Sequence, residues 1–512
     1  MKNKEITMNK IITLILSLLL LCSCCASDKK YNIVDYGAKA NQLSTNAIQA
    51  AIDDCTKNGG GIVYVPPGEY ISGTIFLKSN VNLYLENGSV IKGSSNLEDY
   101  VVKGRPYGLV YAENACNITI SGYGAMDGNG TFFHDKNVPH VSADFNVNNT
   151  RQKEDFMNIK YGLDDGPIAF KKRPGMQLKI MYCENITLKD FTMLDSPEWS
   201  IRIGDCSDVL VTGIRIFNNL MIPNSDGIHL THSRNVRISD CDLRCGDDAI
   251  IVTGFPYELE ASGNNAEIER ESGNFGNFTD YAENITVTNC MLQSRSAGIR
   301  IGYGLYPIRN CIFSNLVIYD SNRGVGIFAR EASAAIENIY FDNIIIRCRL
   351  HKGHWWGKGE PIHVSSIPRL KDDRAGIVRN INFSNITAEC ETGVVIWGDN
   401  EDDIQDITFN NVRLSIKESP ISAIYGGNFD LRPTNSRATS IFEHDIPGIF
   451  ARNVKGILFK DVDVSWHGTF LPFYTYALEC ENVKGLALER FKGNTAQANL
   501  PLYSFKNTVT VK

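Results

Sequence analysis

Three acids are spaced so that they could share one chemical task. Asp226 lies in Pro223-Asn-Ser-Asp-Gly-Ile228, and Asp247 with Asp248 in Cys245-Gly-Asp-Asp-Ala-Ile250. Hydrolysis of a glycosidic bond takes one protonated acid at the leaving oxygen and one ionised base on a water. Crowded carboxylates divide in that way, because their repulsion and burial raise one pKa above its neighbour's. A Gly-Asp-Asp turn alone reads as a solvated loop. Two acid motifs 21 residues apart, each running into an apolar strand start at Ile228 or Ile250, read instead as a site. Three acids leave room for an acid flanked by two water-holding bases. The arrangement works only if neighbouring strands stack side by side, at about 4.8 Å.

The rest of the chain supplies such strands. A short unit of Asn or Asp, then Ile or Val, a variable residue and another apolar residue recurs at Asn117, Asn185, Asp208, Asn235, Asn284, Asn338, Asn380 and Asp406, with several spacings close to 26 residues. Each unit alternates like a strand, and Gly, Asn, Asp or Ser punctuates the gaps. Short strands at a fixed period without amphipathic helices between them predict an all-β solenoid, a single-stranded right-handed parallel β-helix. Its recurrent Asn sits at a turn, bonded to its own backbone or stacked in a ladder. The segment Asn46–Asp54 has helical spacing and is expected to cap the open N-terminal end. Residues 24–417 read as the catalytic β-helix and 418–512 as further coils of it, with Asn453 and Asn482 opening recognisable units.

Composition bounds the partners. The chain has 512 residues, 43% hydrophobic, with net charge −7 and no basic run suited to a phosphate backbone, so nucleic acid is not an expected partner. Lys2, Lys4 and Lys10 precede an apolar stretch from Ile11 to Leu21, too short to span a bilayer, which reads as an export signal over residues 1–23. Leu21-Cys22-Ser23-Cys24 resembles a bacterial lipoprotein box with Cys24 as the lipid anchor, and implies an envelope protein, periplasmic or at the cell surface. Cys241 and Cys290 close equivalent repeat units and read as small buried residues rather than disulfide partners. No CxxC or His cluster has zinc spacing, so no metal or other cofactor is expected.

Asn32-Ile-Val-Asp-Tyr-Gly-Ala38, Gly59-Gly-Gly-Ile-Val-Tyr-Val-Pro-Pro-Gly68, Gly124-Ala-Met-Asp-Gly128, Asp195-Ser-Pro-Glu-Trp199 and the two acid motifs follow one another as in the pectin-degrading glycoside hydrolases of family 28, which the chain resembles over roughly residues 31 to 345. The resemblance implies inverting hydrolysis of a galacturonate-containing pectic poly- or oligosaccharide. It assigns Asp247 as general acid and Asp226 and Asp248 as water-activating bases.

The pattern also departs from the family's. Polygalacturonases carry a Gly-His-Gly motif, whose His tunes the acid, and an Arg-Ile-Lys motif, whose cations hold the galacturonate carboxylate. Here the first reads Ser296-Ala-Gly-Ile-Arg-Ile-Gly302, with Ala297 in the His position, and the second reads Arg323-Gly-Val-Gly-Ile-Phe-Ala-Arg330. Arg300 and Arg330 are the expected uronate ligands, as guanidinium matches carboxylate bidentately, and His229 is a candidate stand-in for the missing His. In His351-Lys-Gly-His-Trp-Trp-Gly-Lys-Gly-Glu360, Trp355, Trp356 and Lys358 suit a loop that stacks on a sugar and binds an anion. The departures keep open a rhamnogalacturonan or other branched-pectin linkage. They also leave two other classes, a non-catalytic carbohydrate-binding β-helix, which three clustered acids argue against, and a calcium-dependent lyase of the same architecture.

Overall fold

The computed structural model describes residues 29–511 apart from 142–145, 157–164, 256–280, 333, 370–372, 433 and 435–439. The signal segment, Cys24 and nearly all of the Phe255–Asp280 insertion lie outside the described residues.

The alternating strands build a right-handed parallel β-helix whose 34-stranded sheet winds through three stacks. One stack runs from Cys116–Gly122 through Glu184–Lys189, Ser207–Thr212 and Arg234–Ser239 to Ala282–Thr288. It continues into the longer strands Ile308–Ser321, Ala335–Cys348, Ile377–Cys390 and Ile404–Lys417. A short-stranded stack follows it in each early coil, through Thr192–Leu194, Arg215–Phe217 and Asp242–Cys245. The third, which carries the site, comprises Ile201–Gly204, Ile228–Thr231, Ile250–Gly254, Ala297–Gly304, Arg323–Ala329, Ile362–Ser366 and Val394–Gly398.

Period-2 alternation sends one row inward and the next outward. On the third stack the inward row is Ile203, Leu230, Val252, Ile301, Ile327, Val364 and Ile396, every member in register and buried. In the first stack Phe313, Phe341, Phe383 and Phe409 lie one above another at 4.9–5.1 Å between ring centroids. Offset-stacked rings add to simple burial.

The recurrent Asn takes left-handed backbone, with φ between 52 and 59° at all eight unit starts, a conformation Asn and Asp tolerate better than other residues with a side chain. Its amide donates to the preceding coil's equivalent, Asn185 Nδ2 to Asn117 Oδ1 at 2.7 Å and Asn380 Nδ2 to Asn338 Oδ1 at 2.7 Å. A second such ladder, Asn343 to Asn315 and Asn411 to Asn385, turns the long strands five residues later.

The N-terminal helix spans Thr45–Lys57 and buries Ala47, Ile48, Ala51, Ile52 and Cys55, the i, i+1, i+4, i+5, i+8 face, over the first coils. After residue 417 the strands Ile449–His467 and Leu478–Glu489 continue the stack. The intervening segment leaves it to form the antiparallel hairpin Asn428–Asp430/Ile441–Glu443. The described cysteines are all free thiols, and only Cys116 among them is exposed.

Candidate active site

The register decides where the acids go. Ile228 pairs with Ile250, and Asp226 and Asp248 each precede their paired Ile by two residues, so they occupy equivalent positions on adjacent coils. Ala297 and Arg323 continue that row. Asp247 sits one residue earlier, in the turn before its strand. Its carboxylate accepts from the Asp248 amide at 2.9 Å and the Asn224 amide at 3.2 Å, which turns it toward its neighbours. Asp226, Asp247, Asp248 and Asn224 line one cavity of about 210 Å³ together with Trp199, Ser296, Arg300, Tyr303, Arg323, Phe328, Trp356 and Arg432.

Each carboxylate has a different environment. Asp248 accepts from the Ala297 amide at 2.8 Å and is ion-paired with Arg300 Nε. Burial, then the charge of Asp248, pushes Asp247 up to about 7, against the pull of Arg300. Asp226 is driven well above the ordinary carboxylate range by burial and by the charges of Asp247 and Asp248, and its Oδ1 has no hydrogen-bond partner. Such a cluster titrates as a unit and holds a proton into the neutral range.

Three guanidinium groups reach the same cavity. Arg300 is committed to Asp248. Arg432 is clamped to Asp430, donating to its two oxygens at 3.0 and 2.9 Å. Arg323 donates from Nη2 to Glu360 at 3.2 Å and to the Asp430 carbonyl at 3.1 Å, while its buried Nε has no partner. Phe328 forms part of the cavity wall with Arg323 and Arg330 lying over its ring, at 5.0–5.2 Å.

Of the residues singled out from the sequence, Asp226, Asp247, Asp248, Arg300 and Trp356 come together in the cavity. Four others do not line it. Arg330 is fully buried and donates to the Ser365 carbonyl and hydroxyl and to the Leu431 carbonyl, so it braces the coil instead of facing a ligand. Trp355 turns inward and donates from Nε1 to the Asp165 carbonyl at 2.7 Å. Lys358 is buried against the rings of Phe156 and Tyr425, where burial lowers it to about 7. His229 lies beneath the cavity floor, stacked on Trp199 at 3.8 Å.

Arg323 and Arg432 were not expected there. Arg323 stands in the quoted cationic motif, but only the register puts it in the row of Asp226 and Asp248. Arg432 comes from the excursion between coils, where no periodicity signals its place.

The profile of glycosyl hydrolases family 28 matches residues 55–428. The chain belongs to that family. This family 28 chain is 24% identical over 455 residues to an exo-poly-alpha-D-galacturonosidase of Dickeya chrysanthemi, covering 79% of the one and 71% of the other. A probable polygalacturonase of Vitis vinifera is 27% identical over 241 residues, 43% of either chain. A polygalacturonase of Medicago sativa is 24% identical over 299, 56% of this chain and 64% of its own. The match thus spans from under half to just under two thirds of those two plant relatives. Among solved structures, the family 28 exopolygalacturonase of Yersinia enterocolitica shares the fold with a TM-score of 0.62 at 20% identity, over 92% of this chain and 79% of its own.

Proposed function

We propose that this chain hydrolyses an α-glycosidic bond in a galacturonate-containing pectic poly- or oligosaccharide, with inversion at the anomeric carbon. Asp247 serves as general acid, and Asp226 and Asp248 hold and activate the water. The observation that carries the reading is the convergence of three buried carboxylates with three guanidinium groups in one cavity. Acid and base chemistry uses the first set, and an anionic sugar is recognised by the second. Arg323, whose Nε is unpaired, is the cation best free to take the uronate carboxylate, and Trp356 gives an aromatic wall for a ring.

The apolar Phe328 in the cavity wall, where the family resemblance calls for a cation, favours a second reading, a rhamnogalacturonan linkage in which a deoxy sugar meets that wall. Incubation with polygalacturonan and separately with rhamnogalacturonan backbone, following new reducing ends beside Asp247→Asn, decides both. Reducing ends lost in the variant establish the hydrolase, and the preferred polymer gives the linkage. An unsaturated, chelator-sensitive product would instead mark a lyase. For the cell, the proposal places the protein in the bacterial envelope, exported and anchored through Cys24.

A further inference from the structure

We infer that His229 is a positioning residue which, through its Nδ1–H, keeps Asp226 ionised and aimed at the attacking water. The inference rests on the hydrolase reading given above. His229 stands in the outward row of the site-bearing stack, between Arg202 one coil earlier and Ile251 one coil later. Its ring is 1% exposed and lies at 30° to the indole of Trp199, so packing fixes its plane. Nδ1 is 3.5 Å from Asp226 Oδ2, and Nε2 is 3.5 Å from the Thr253 hydroxyl.

Neither His229 Nδ1 nor Asp226 Oδ1 has a hydrogen-bond partner. Nδ1 thus faces a carboxylate whose other oxygen, Oδ1, is also unsatisfied, and unsatisfied polar atoms in a buried site are costly. Catalytic hydrogen bonds in an empty site are often of this length and tighten in the substrate complex.

The surrounding charges set the tautomer. Asp226 faces Asp247 and Asp248 from the following coil, Glu198 from the preceding one, and Arg300 from two coils on, with Arg173 packed alongside. His229 faces Arg202 and Arg300, and burial with those two cations holds the imidazole well below its usual pKa and therefore neutral. A neutral imidazole donates from one nitrogen only. With a carboxylate opposite Nδ1, that nitrogen carries the proton and Nε2 accepts the single proton of the Thr253 hydroxyl, in place of the competing Leu230 carbonyl at 3.4 Å.

Burial drives Asp226 toward its neutral form, and Arg300 is already committed to Asp248. An N–H directed at Asp226 favours the carboxylate, leaving the proton of the cluster with Asp247. Ala297, without a polar side chain, cannot act on the acids in this way.

The test has two readouts. The first is the pH profile of kcat/KM on whichever polymer the enzyme cleaves, for the native protein, His229→Ala and His229→Asn. The Asn amide can present a donor near the place of Nδ1. The acid limb, which reports the base, should move up by roughly one to two pH units in His229→Ala, the equivalent of losing a hydrogen bond to a charged group, and return in His229→Asn with the alkaline limb fixed. A loss of kcat equal at every pH would mean a merely structural ring and overturn the inference. The second readout is ¹⁵N NMR of the imidazole, assigned by the spectrum of His229→Asn, which needs no activity. A neutral Nδ1–H form supports the inference and the Nε2–H form overturns it. Absence of hydrolysis on both polymers would refute the hydrolase reading, and the tautomer would still decide whether His229 donates to Asp226.

Discussion

Replacing Arg300 with Gln removes the guanidinium that pairs with Asp248 and pulls down both Asp226 and Asp247. The pair is out of solvent, with side-chain exposures of 10% and 7%, so its loss is not screened away as a surface pair's would be. Removing one partner of a buried ion pair costs about 3–5 kcal/mol, because the other charge is stranded. That cost applies only while the carboxylates are ionised. Without the cation the folded cluster has a higher affinity for protons than the unfolded chain. Its stability is therefore greatest at low pH and is lost as pH rises through the folded-state values. The deficit of Arg300→Gln against the native protein should be about 3–5 kcal/mol near pH 8 and should shrink to about 1 kcal/mol or less near pH 4, where protons replace the guanidinium. Urea unfolding followed by tryptophan fluorescence at the two pH values measures it, with Arg300→Lys as the charge-retaining control. A deficit equal at both pH values, or larger in acid, would show that Arg300 does not offset the charge of the three aspartates.

The remaining predictions concern catalysis, recognition and location. With Asp247 held at about 7 and required protonated, kcat/KM should fall above about pH 7 by tenfold per unit, and a profile flat to about pH 9 would exclude Asp247 as the acid. Arg323→Met should raise KM for a uronate oligosaccharide by about 10–100-fold, the worth of one charge-assisted contact, and should also destabilise the fold, because it strands the buried Glu360 carboxylate. Arg330→Met should differ in KM alone in the same kinetic and urea assays, with KM unchanged and the fold destabilised, since its guanidinium bonds the coil's own carbonyls. Cys24→Ala should shift the protein from the membrane to the soluble fraction of the producing bacterium, and an unchanged distribution would refute the anchor.

The sequence conveys what is periodic in this fold. Units opened by Asn or Asp at intervals near 26 residues mark the coils because each coil needs a residue that accepts left-handed backbone and can bond the equivalent residue on the next coil. The helix face of Ala47, Ile48, Ala51 and Ile52 is legible for the same reason, a period matched to burial. The acids are legible because their motifs abut strand starts. Inside or outside is harder to read, as Arg300 and Arg330 show. Both are cations on the third stack, yet Arg300 belongs to the outward row beside Ile251 while Arg330 follows its strand and turns under the Leu431 carbonyl. Within the loop after Leu350, adjacent Trp355 and Trp356 point to opposite sides, one to the Asp165 carbonyl and one to the cavity. No spacing rule distinguishes them, because the loop has no repeat to set its phase. Arg432 is further out of reach, since its position depends on an excursion crossing back over coils more than a hundred residues earlier in the chain.

The altered cationic motif is sterically self-consistent. Gly326 occupies the outward row beside Arg300, on the next coil. A Cβ there would stand 2.7 Å from the Phe328 ring and 3.4 Å from Arg323 Cδ, the first distance too short for any real side chain. The bare position lets the Phe328 ring lie against the strand, and Arg323 and Arg330 then lie over that ring. A side chain at position 326 would therefore require the ring at 328 to move from its present place. Besides Arg300 from this row, charge enters the cavity from the strand start, through Arg323, and from the later hairpin, through Arg432 held by Asp430. The positive charge of the site is supplied by Arg300, Arg323 and Arg432, and a side chain at position 326 would have to be accompanied by a change in the place of the Phe328 ring.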